Sequence, residues 1–402
     1  MSDASRPVVA RRAVFLVGGY ERNDAAGFFR RIGREMARFQ TCWSVRAEMG
    51  EASHAPDQTS ATATVRYAGP DGDCVSDITF LSYDDIVRRD GARPVVVRLW
   101  VYLLAFFDYV FSGTMARFFA TNWRFALYFL YPFTALCGFL FVGYTVFRIV
   151  NALGVPGGPV LPLVLCLLAI VLVGRYLGRR YFVFHLMDLW SFSREHLHCR
   201  RPEMDQRLDA WATMIDERLS GGPFDEVLLV GHSTGGALIL DLADLLSARL
   251  DGRGANVDFT LLTVGSTSMK VGLHPAAQRA RGRLKALSER PAIRWFEFQA
   301  LTDIINFYKC DPFTSVGLVH NRPDSFPKQY QVRFRQMLEP AAYKRIRRNF
   351  FRVHYQFISA NSRRYFYDFF MICFGTRRLE AATSGSLPIA AMPDDSSTKG
   401  SP

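Results

Sequence analysis

The sequence predicts an α/β protein in which a sheet flanked by helices is interrupted by an inserted pair of membrane-spanning helices. Two observations favour this fold class. Apolar runs of strand length, each closed by a glycine turn, occur near the start of the chain at residues 13–17 and in its second half at residues 227–230. Between them lies a long segment with almost no charged residue. We therefore expect one core that is built from two separate parts of the sequence.

The composition is apolar and basic. Of 402 residues, 49% are hydrophobic and 34 are Phe, and the formal net charge is +12. An excess of positive charge suits nucleic acid or an anionic membrane surface. Because the sequence carries no zinc-finger, aromatic RNA-binding or phosphate-loop motif, we expect the lipid bilayer as partner and no nucleic acid.

The cysteines form neither a CxxC pair nor a metal-ligand spacing, so we expect reduced thiols. They are Cys42, Cys74, Cys137, Cys166, Cys199, Cys310 and Cys373. No motif for a metal or a cofactor is visible, and we predict that neither is bound. The sequence predicts no particular oligomeric state.

The N-terminal part of the core is predicted to span residues 1–93. Residues 13–17 indicate a buried strand that ends at Gly18-Gly19, and residues 25–39 have helical spacing. Alternating runs between residues 62 and 81 surround a Gly-Pro-Asp-Gly-Asp turn, which predicts a β-hairpin.

Residues 94–185 are predicted to form a membrane unit. Residues 125–147 contain no charge, and none appears between Arg148 and Arg175. A Gly- and Pro-rich turn at residues 151–159 separates this first span from a second, at residues 160–177, and a membrane helix needs about 20 such residues. A pair of buried core helices is the alternative, but two adjacent charge-free runs of this length favour a transmembrane hairpin.

Residues 95–111 are also apolar but are interrupted by Arg98 and Asp108, so we expect an interfacial helix with Trp100 and Tyr102 in the headgroup layer. If the two apolar strands share one sheet, both lie on one side of the bilayer. The number of spans is then even, and two spans fit.

The flanking charges predict the orientation. Arginines stand on the core side of both spans, whereas the tip of the hairpin carries only Arg148. Those on the core side are Arg117, Arg124, Arg175, Arg179 and Arg180. By the positive-inside rule, we expect an integral protein of a bacterial inner membrane with its core in the cytoplasm.

The chemistry is predicted at Ser233. An apolar strand at residues 227–230 leads into Gly231-His232-Ser233-Thr234-Gly235, and residues 236–242 continue in helical register. Such a strand–turn–helix lifts the serine hydroxyl clear of the sheet and directs the amide of Thr234 at a developing oxyanion. A glycine-rich turn without a chemical role is the alternative, and the strand and helix around the motif argue against it.

From residue 225 to about residue 368 the chain resembles α/β-hydrolases of the lipase and esterase kind. Gly-His-Ser-Thr-Gly-Gly is similar to their nucleophile turn, and residues 259–266 are similar to the strand that follows it. Near the N-terminus, Phe-Leu-Val-Gly-Gly-Tyr is similar to their first strand and oxyanion loop. The resemblance covers about half of the chain. It implies an α/β-hydrolase sheet interrupted by the membrane hairpin, with residues 186–378 carrying the catalytic triad, and an oxyanion amide from Gly19 or Tyr20.

The resemblance also implies the chain order serine, acid, histidine. Asp303 follows a predicted strand at residues 293–300 and is the favoured acid, with Asp311 as the alternative. For the base, His354 precedes a closing helix and is favoured over His320, which lies nearer the acid. His274 comes before any suitable acid and is out of order.

The predicted function is a membrane-anchored serine hydrolase that cleaves an ester or thioester, with a lipid-like substrate suggested by the hairpin. A catalytically inactive scaffold of the same fold is the alternative. Residues 379–402 are rich in Ala, Ser, Thr, Gly, Pro and Asp and are predicted to form a disordered tail.

Overall fold

A mixed sheet forms the centre of the protein. The computed structural model describes residues 8–154, 158–252, 259–322 and 325–386. Within these ranges the sheet has nine strands in the order β2-β4-β5-β1-β6-β7-β8-β9, and β3 also pairs with β4. The strands are β1 Arg11–Val17, β2 Arg46–Met49, β3 Ser53–His54, β4 Ser60–Gly69, β5 Gly72–Leu81, β6 Glu226–His232, β7 Thr260–Val264, β8 Arg294–Gln299 and β9 Lys328–Gln331. Neighbours from β5 to β9 are parallel, whereas β2, β3 and β5 pair with β4 antiparallel.

Helices cover both faces of the sheet and include two long apolar ones. They are α1 Ala25–Trp43, α2 Asp84–Ala92, α3 Val95–Phe111, α4 Thr114–Ala152, α5 Val160–Arg180, α6 Val183–Leu197, α7 Pro202–Ser220, α8 Gly235–Gly252, α9 Met269–Gly272, α10 Gln278–Ser288, α11 Phe334–Met337, α12 Pro340–Ile346, α13 Phe350–Tyr355, α14 Phe369–Phe374 and α15 Leu379–Thr383.

Strand β1 joins the two parts of the core. It pairs with β5 from the N-terminal part and with β6 from the C-terminal part, with Val14 opposite Leu228. Because side chains alternate along a strand, Phe15 faces a core cluster that includes Trp211 on α7, and Val14 faces another that includes Phe28 on α1. Apolar side chains on both faces explain why the predicted strand reads as a continuous apolar run.

The predicted hairpin between residues 62 and 81 is confirmed. Strands β4 and β5 pair along their whole length, and Gly69 lies opposite Gly72 at the turn. Gly72 has a φ of 116°, a conformation that residues with a Cβ atom rarely adopt. The turn glycine is therefore required by the backbone.

The two predicted spans lie within α4 and α5, the two described helices that are long and apolar enough to cross a membrane. Their apolar side chains point outward, as Phe141 on α4 and Leu172 on α5 show. Apolar surface of this extent needs a nonaqueous neighbour. Part of the predicted turn at the hairpin tip, residues 155–157, lies outside the described residues.

Helix α4 is broken at Asn122, which has φ −153° and ψ 94°. The Asn122 side chain accepts hydrogen bonds from the amides of Arg124 and Phe125, so it caps a new helical segment at this point. The apolar segment of α4 thus has a defined start, close to the predicted beginning of the span at residue 125.

The predicted interfacial helix is α3, but one of its two headgroup residues was wrongly assigned. Trp100 is 63% exposed, whereas Tyr102 is completely buried. Two ion pairs join α3 to α6: Arg98 pairs with Asp188, and Asp108 pairs with Arg194. They hold α3 in an orientation in which Tyr102 faces the core. Tyr102 therefore packs inside the protein.

Helices α2 and α3 together are also apolar enough for a crossing, but they meet at a bend of 109°. The sheet argues against a third span. Strands β5 and β6, before and after all these helices, both pair with β1 and so lie on one side of a bilayer.

The end of the chain differs from the predicted tail at residues 379–383. There the chain forms α15, Leu379 is buried, and its amide donates a 2.9 Å hydrogen bond to Glu226. The composition of the tail did not reveal this helix, because its contact with the core depends on one leucine and one buried glutamate. Residues 387–402 of the predicted tail lie outside the described residues.

Candidate active site

Ser233 lies on a tight turn between β6 and α8. Its φ of 58° falls in the left-handed region, which a residue with a side chain adopts only when the surrounding structure imposes it. The glycines of the motif allow this turn. A Cβ atom on Gly235 would lie 2.1 Å from the carbonyl oxygen of Val17, and one on Gly231 would lie 2.5 Å from a methyl group of Ile239. The strand and the helix approach so closely that only glycine fits.

The neighbouring strand holds the turn in place. The Ser233 amide donates a 3.3 Å hydrogen bond to the carbonyl of Val264 at the end of β7. The Ser233 carbonyl accepts a 3.0 Å hydrogen bond from the amide of Thr267. Main-chain bonds on both sides position the half-buried side chain of Ser233 at the wall of a cleft.

The predicted oxyanion residues surround the nucleophile. A Cβ atom on Gly19 would lie 3.2 Å from Cβ and 3.4 Å from Oγ of Ser233, so the main chain at Gly19 passes directly over the hydroxyl. Tyr20 is buried, and its hydroxyl donates a 2.8 Å hydrogen bond to Asp90. Thr234 follows Ser233 and directly precedes α8. Main-chain amides of both segments therefore lie near the Ser233 hydroxyl.

The predicted acid and base form a buried pair. Nδ1 of His354 lies 2.7 Å from Oδ2 of Asp303, and both residues are at most 3% exposed. Asp303 accepts a second hydrogen bond, of 3.0 Å, from the amide of Ile305. A carboxylate that accepts from Nδ1–H leaves Nε2 of the neutral imidazole with its lone pair free. This Nε2 is buried and has no hydrogen-bond partner among the described residues.

Asn306 braces the loop that carries Asp303. Its side chain is completely buried, accepts from the amide of Ala300, and donates to the carbonyl oxygens of Ala300 and Asp303. The loop between β8 and the acid is thereby closed on itself.

Ser233 and His354 line the same cleft without a hydrogen bond between their side chains in this structure. The ring of His354 nevertheless lies close to the nucleophile turn, since a Cβ atom on Gly265 would be 3.1 Å from its Cε1. Gly265 follows Val264, which holds the Ser233 amide. Catalytic hydrogen bonds are often long in unliganded sites, so the gap is compatible with a serine–histidine pair.

The two alternative triad residues lie elsewhere. Asp311 accepts hydrogen bonds from Phe313 and Thr314 and so stabilises a local turn. His320 packs against the rings of Phe313 and Phe326, and its Nδ1 accepts from the amide of Arg322. Neither is among the residues that line the cleft with Ser233.

His232 was predicted to be a packing residue, and it packs directly against the candidate base. The two rings have centroids 4.7 Å apart, and Nε2 of His232 lies 3.3 Å from the carbonyl oxygen of His354. Burial, together with nearby His354, holds the pKa of His232 well below its usual value. The neutral imidazole of His232 therefore packs against the ring of His354.

Lys270 is a site residue that the sequence analysis missed. It is 1% exposed, and its Nζ lies 2.8 Å from Oγ1 of Thr234, beside the nucleophile. Burial lowers the pKa of Lys270 to about 7. A lysine within the apolar run Met-Lys-Val-Gly-Leu was the available signal, but only the fold brings it to the turn.

The cleft extends far beyond Ser233 and His354. Its volume is about 1300 Å³, and it runs from Ser233 to side chains of the two long apolar helices, among them Phe139 on α4 and Ile170 on α5. Such a volume exceeds that of typical small-molecule sites. The sequence indicated a hairpin and a nucleophile but gave no sign that they share one cavity.

One group of side chains has the composition of a metal site. Atoms of Asp108, His198 and His274 lie within 4.8 Å of one another. Arg194 also donates to Asp108, and Nδ1 of His274 accepts from the amide of Ala276, which places the proton of the neutral ring on Nε2, the atom facing Asp108. This arrangement suits a charged cluster that links α3 to α6 better than it suits metal coordination.

Comparison of the chain with models of protein families, with curated proteins and with solved structures finds no match. The function therefore has to be argued from the site itself.

Proposed function

We propose that the protein is a serine hydrolase of the α/β-hydrolase class. The observation that carries the proposal is the position of Ser233. It occupies a left-handed turn between a parallel strand and a helix, and it shares a cleft with an imidazole whose Nδ1 contacts a buried carboxylate. The residues Ser233, Asp303 and His354 also occur in the chain order of that class.

Within that class, the activity we propose is hydrolysis of an ester or thioester at a membrane. Oγ of Ser233 attacks the carbonyl carbon while Nε2 of His354 takes its proton, and Asp303 stabilises the imidazolium. The amides of Thr234 and of Gly19 or Tyr20 hold the oxyanion. The alcohol or thiol leaves with the proton from His354. Water, deprotonated by His354, then attacks the acyl-enzyme. As the bond from the acyl carbon to Oγ breaks and the acid leaves, His354 returns the proton to Oγ of Ser233.

We further propose that α4 and α5 cross the bilayer and that the core lies in the cytoplasm, with a bacterial inner membrane as the expected location. The arginines at the core ends of α4 and α5 support this orientation, because basic residues collect on the cytoplasmic side. The pairing of β1 with both β5 and β6 supports an even number of spans.

A catalytically inactive scaffold is the second candidate. One observation favours it: the Ser233 hydroxyl makes no hydrogen bond to His354 in the unliganded structure. The buried His354–Asp303 pair favours the enzyme, because a carboxylate on Nδ1 orients the imidazole as a base.

A fluorophosphonate probe tests the proposal, because it reacts with activated serine hydroxyls. We expect the full-length protein in detergent to be labelled, the Ser233→Ala variant to be unlabelled, and the Ser268→Ala control to be labelled like the wild type. Ser268 lies near the turn but is assigned no catalytic role. A wild-type protein that takes no label would support the scaffold.

A further inference from the structure

The cleft at Ser233 has an apolar part and a charged part. The apolar part lies between α3, α4 and α5 and includes Leu103, Leu136 and Ile170. Leu140 and Val171 line it as well and are more than half exposed on the outer surface of the hairpin. A wall shared between the cleft and the lipid-facing surface gives an apolar chain a lateral path from the bilayer to the nucleophile.

One face of α5 contributes to both the apolar and the charged part of the cleft. The residues of α5 that line the cleft are Ile170, Val171, Gly174, Arg175, Gly178 and Arg179. Their spacing of three and four positions places them on one side of the helix. The nine positions from Ile170 to Arg179 correspond to about 13 Å of helix. The lining therefore changes from aliphatic to cationic along one face of α5.

The charged part carries a net positive charge. Arg175 and Arg179, together with Arg22 from the loop after β1, line the cleft and form no ion pair with a described residue. Of the other charged lining groups, Arg98 is neutralised by Asp188 through contacts of 2.6 and 2.9 Å. Glu21 is the other acidic group of the lining, and burial raises its pKa.

His185 adds no charge near neutral pH, because burial lowers its pKa to about 4. Arg22, Arg175 and Arg179 thus line the cleft without an ion pair to a described residue, although the charge of Arg22 also acts on Asp188. Guanidinium groups bind phosphate oxygens in paired hydrogen bonds.

We infer that the cleft binds an anionic amphiphile, with its acyl chain in the apolar part between α3, α4 and α5 and its phosphate headgroup at Arg22, Arg175 and Arg179. That this amphiphile is the substrate rests on the proposed hydrolase function. That it binds in the cleft rests only on the residues that line the cleft. The competing explanation is that Arg175 and Arg179 only anchor the end of α5 to the surface of the bilayer.

Arg180 separates these explanations. It belongs to the same basic end of α5, but it does not line the cleft, and its guanidinium stacks on the ring of Tyr181 at 5.5 Å. A surface anchor would use Arg179 and Arg180 alike, whereas a headgroup site would use only Arg179.

The test measures binding of fluorescent phosphatidylglycerol and phosphatidylcholine with identical acyl chains to the full-length Ser233→Ala protein in nonionic detergent micelles. We expect phosphatidylglycerol to bind about tenfold more tightly, which is about 1.4 kcal/mol. Adding Arg175→Gln and Arg179→Gln should reduce this preference to less than threefold, and adding Arg180→Gln should leave it unchanged. Glycerol 3-phosphate at the same concentration should not compete, because it lacks the chain.

A second variant tests the apolar part. A Cβ atom on Gly174 would lie 3.8 Å from Phe139, so a leucine side chain there is directed into the cleft without a main-chain clash. Gly174→Leu should weaken both lipids about equally. Equal binding of the two lipids, or the same loss from Arg180→Gln as from Arg179→Gln, would overturn the inference.

The two proposals fail in different ways. If the wild type takes the fluorophosphonate label but shows no preference for phosphatidylglycerol, the hydrolase function stands and the headgroup site is refuted. If the protein takes no label but binds phosphatidylglycerol selectively, with sensitivity to Arg179→Gln, the hydrolase function is refuted and the headgroup site stands.

Discussion

Asn122, at the break in α4, donates a 3.0 Å hydrogen bond to the carbonyl oxygen of Asn306, whose side chain braces the acid loop. Two further contacts reinforce this connection: Arg124 donates to the carbonyl of Leu301, and the rings of Phe125 and Phe307 have centroids 4.0 Å apart. The start of the apolar segment of α4 is thus attached to the loop that carries Asp303.

Replacing Asn122 tests this attachment. We expect Asn122→Ala to lower kcat three- to tenfold on a short p-nitrophenyl ester with little change in KM, because the acid loop loses a support rather than a substrate contact. Asn122→Asp keeps a side chain that can cap the helix but lacks the donor to Asn306, so it should preserve thermal stability while kcat stays low. Asn151→Ala, at the other end of α4, is the control. Full activity in Asn122→Asp would refute the positioning role.

The choice of triad residues gives a second prediction. His354→Ala and Asp303→Asn should each lower kcat/KM about 10³-fold or more, as loss of a triad member does in serine hydrolases. His320→Ala and Asp311→Asn should stay within about twofold of the wild type, because Asp311 serves a local turn and His320 packs on phenylalanine rings. Steady-state kinetics with a p-nitrophenyl ester decides the matter, and a large loss in His320→Ala would show that the base is misassigned.

Lys270 should make stability depend on pH in a defined direction. Its pKa is about 7 in the folded protein and 10.5 as an ordinary lysine, so between these values the unfolded chain binds the extra proton. The cost of burying the charge is fully present below pH 7 and is relieved as the pH rises toward 10.5. Lys270→Met removes this cost and should raise the free energy of unfolding at pH 6 by up to about 5 kcal/mol.

That gain should shrink steadily between pH 7 and pH 10. Urea unfolding of the protein in detergent at pH 6, 8 and 10 measures it, with Lys285→Met on the exposed face of α10 as the control. A gain that is the same at pH 6 and pH 10 would mean that Lys270 is not buried as a titrating group.

The tight contact of α8 with β1 gives a fourth prediction. Gly235→Ala places a Cβ atom 2.1 Å from the carbonyl oxygen of Val17, so the turn at Ser233 has to move. We expect the free energy of unfolding to fall by about 1–3 kcal/mol, together with a loss of activity. Gly252→Ala, at the open end of the same helix, meets nothing within 4 Å and should be neutral or slightly stabilising. Thermal unfolding compares the two variants, and a Gly235→Ala protein as stable as the wild type would contradict the close contact at the Ser233 turn.

The membrane topology can be tested with cysteine labelling. Leu153 at the hairpin tip is 71% exposed, and Cys199 is exposed on the core. In intact cells a membrane-impermeant maleimide should label a Leu153→Cys variant, and Cys199 should react only after lysis. Labelling of Cys199 in intact cells would place the core outside the cytoplasm.

The sequence by itself determined features whose signal is local. The strand at residues 227–230, the turn around Ser233 and the helix after it are contiguous, so glycine spacing and apolar periodicity were enough to predict them. The long apolar helices α4 and α5 were equally visible, because each is a continuous run almost without charged residues.

Only the tertiary structure decided which distant groups meet. It brought Asp303 to His354, buried Lys270 beside Thr234 and turned Tyr102 inward, and each outcome depends on packing between segments far apart in the chain. The shared cleft of Ser233 and α5 has the same origin. A side chain's neighbours depend on how helices and strands dock, and no local pattern of residue types specifies that docking.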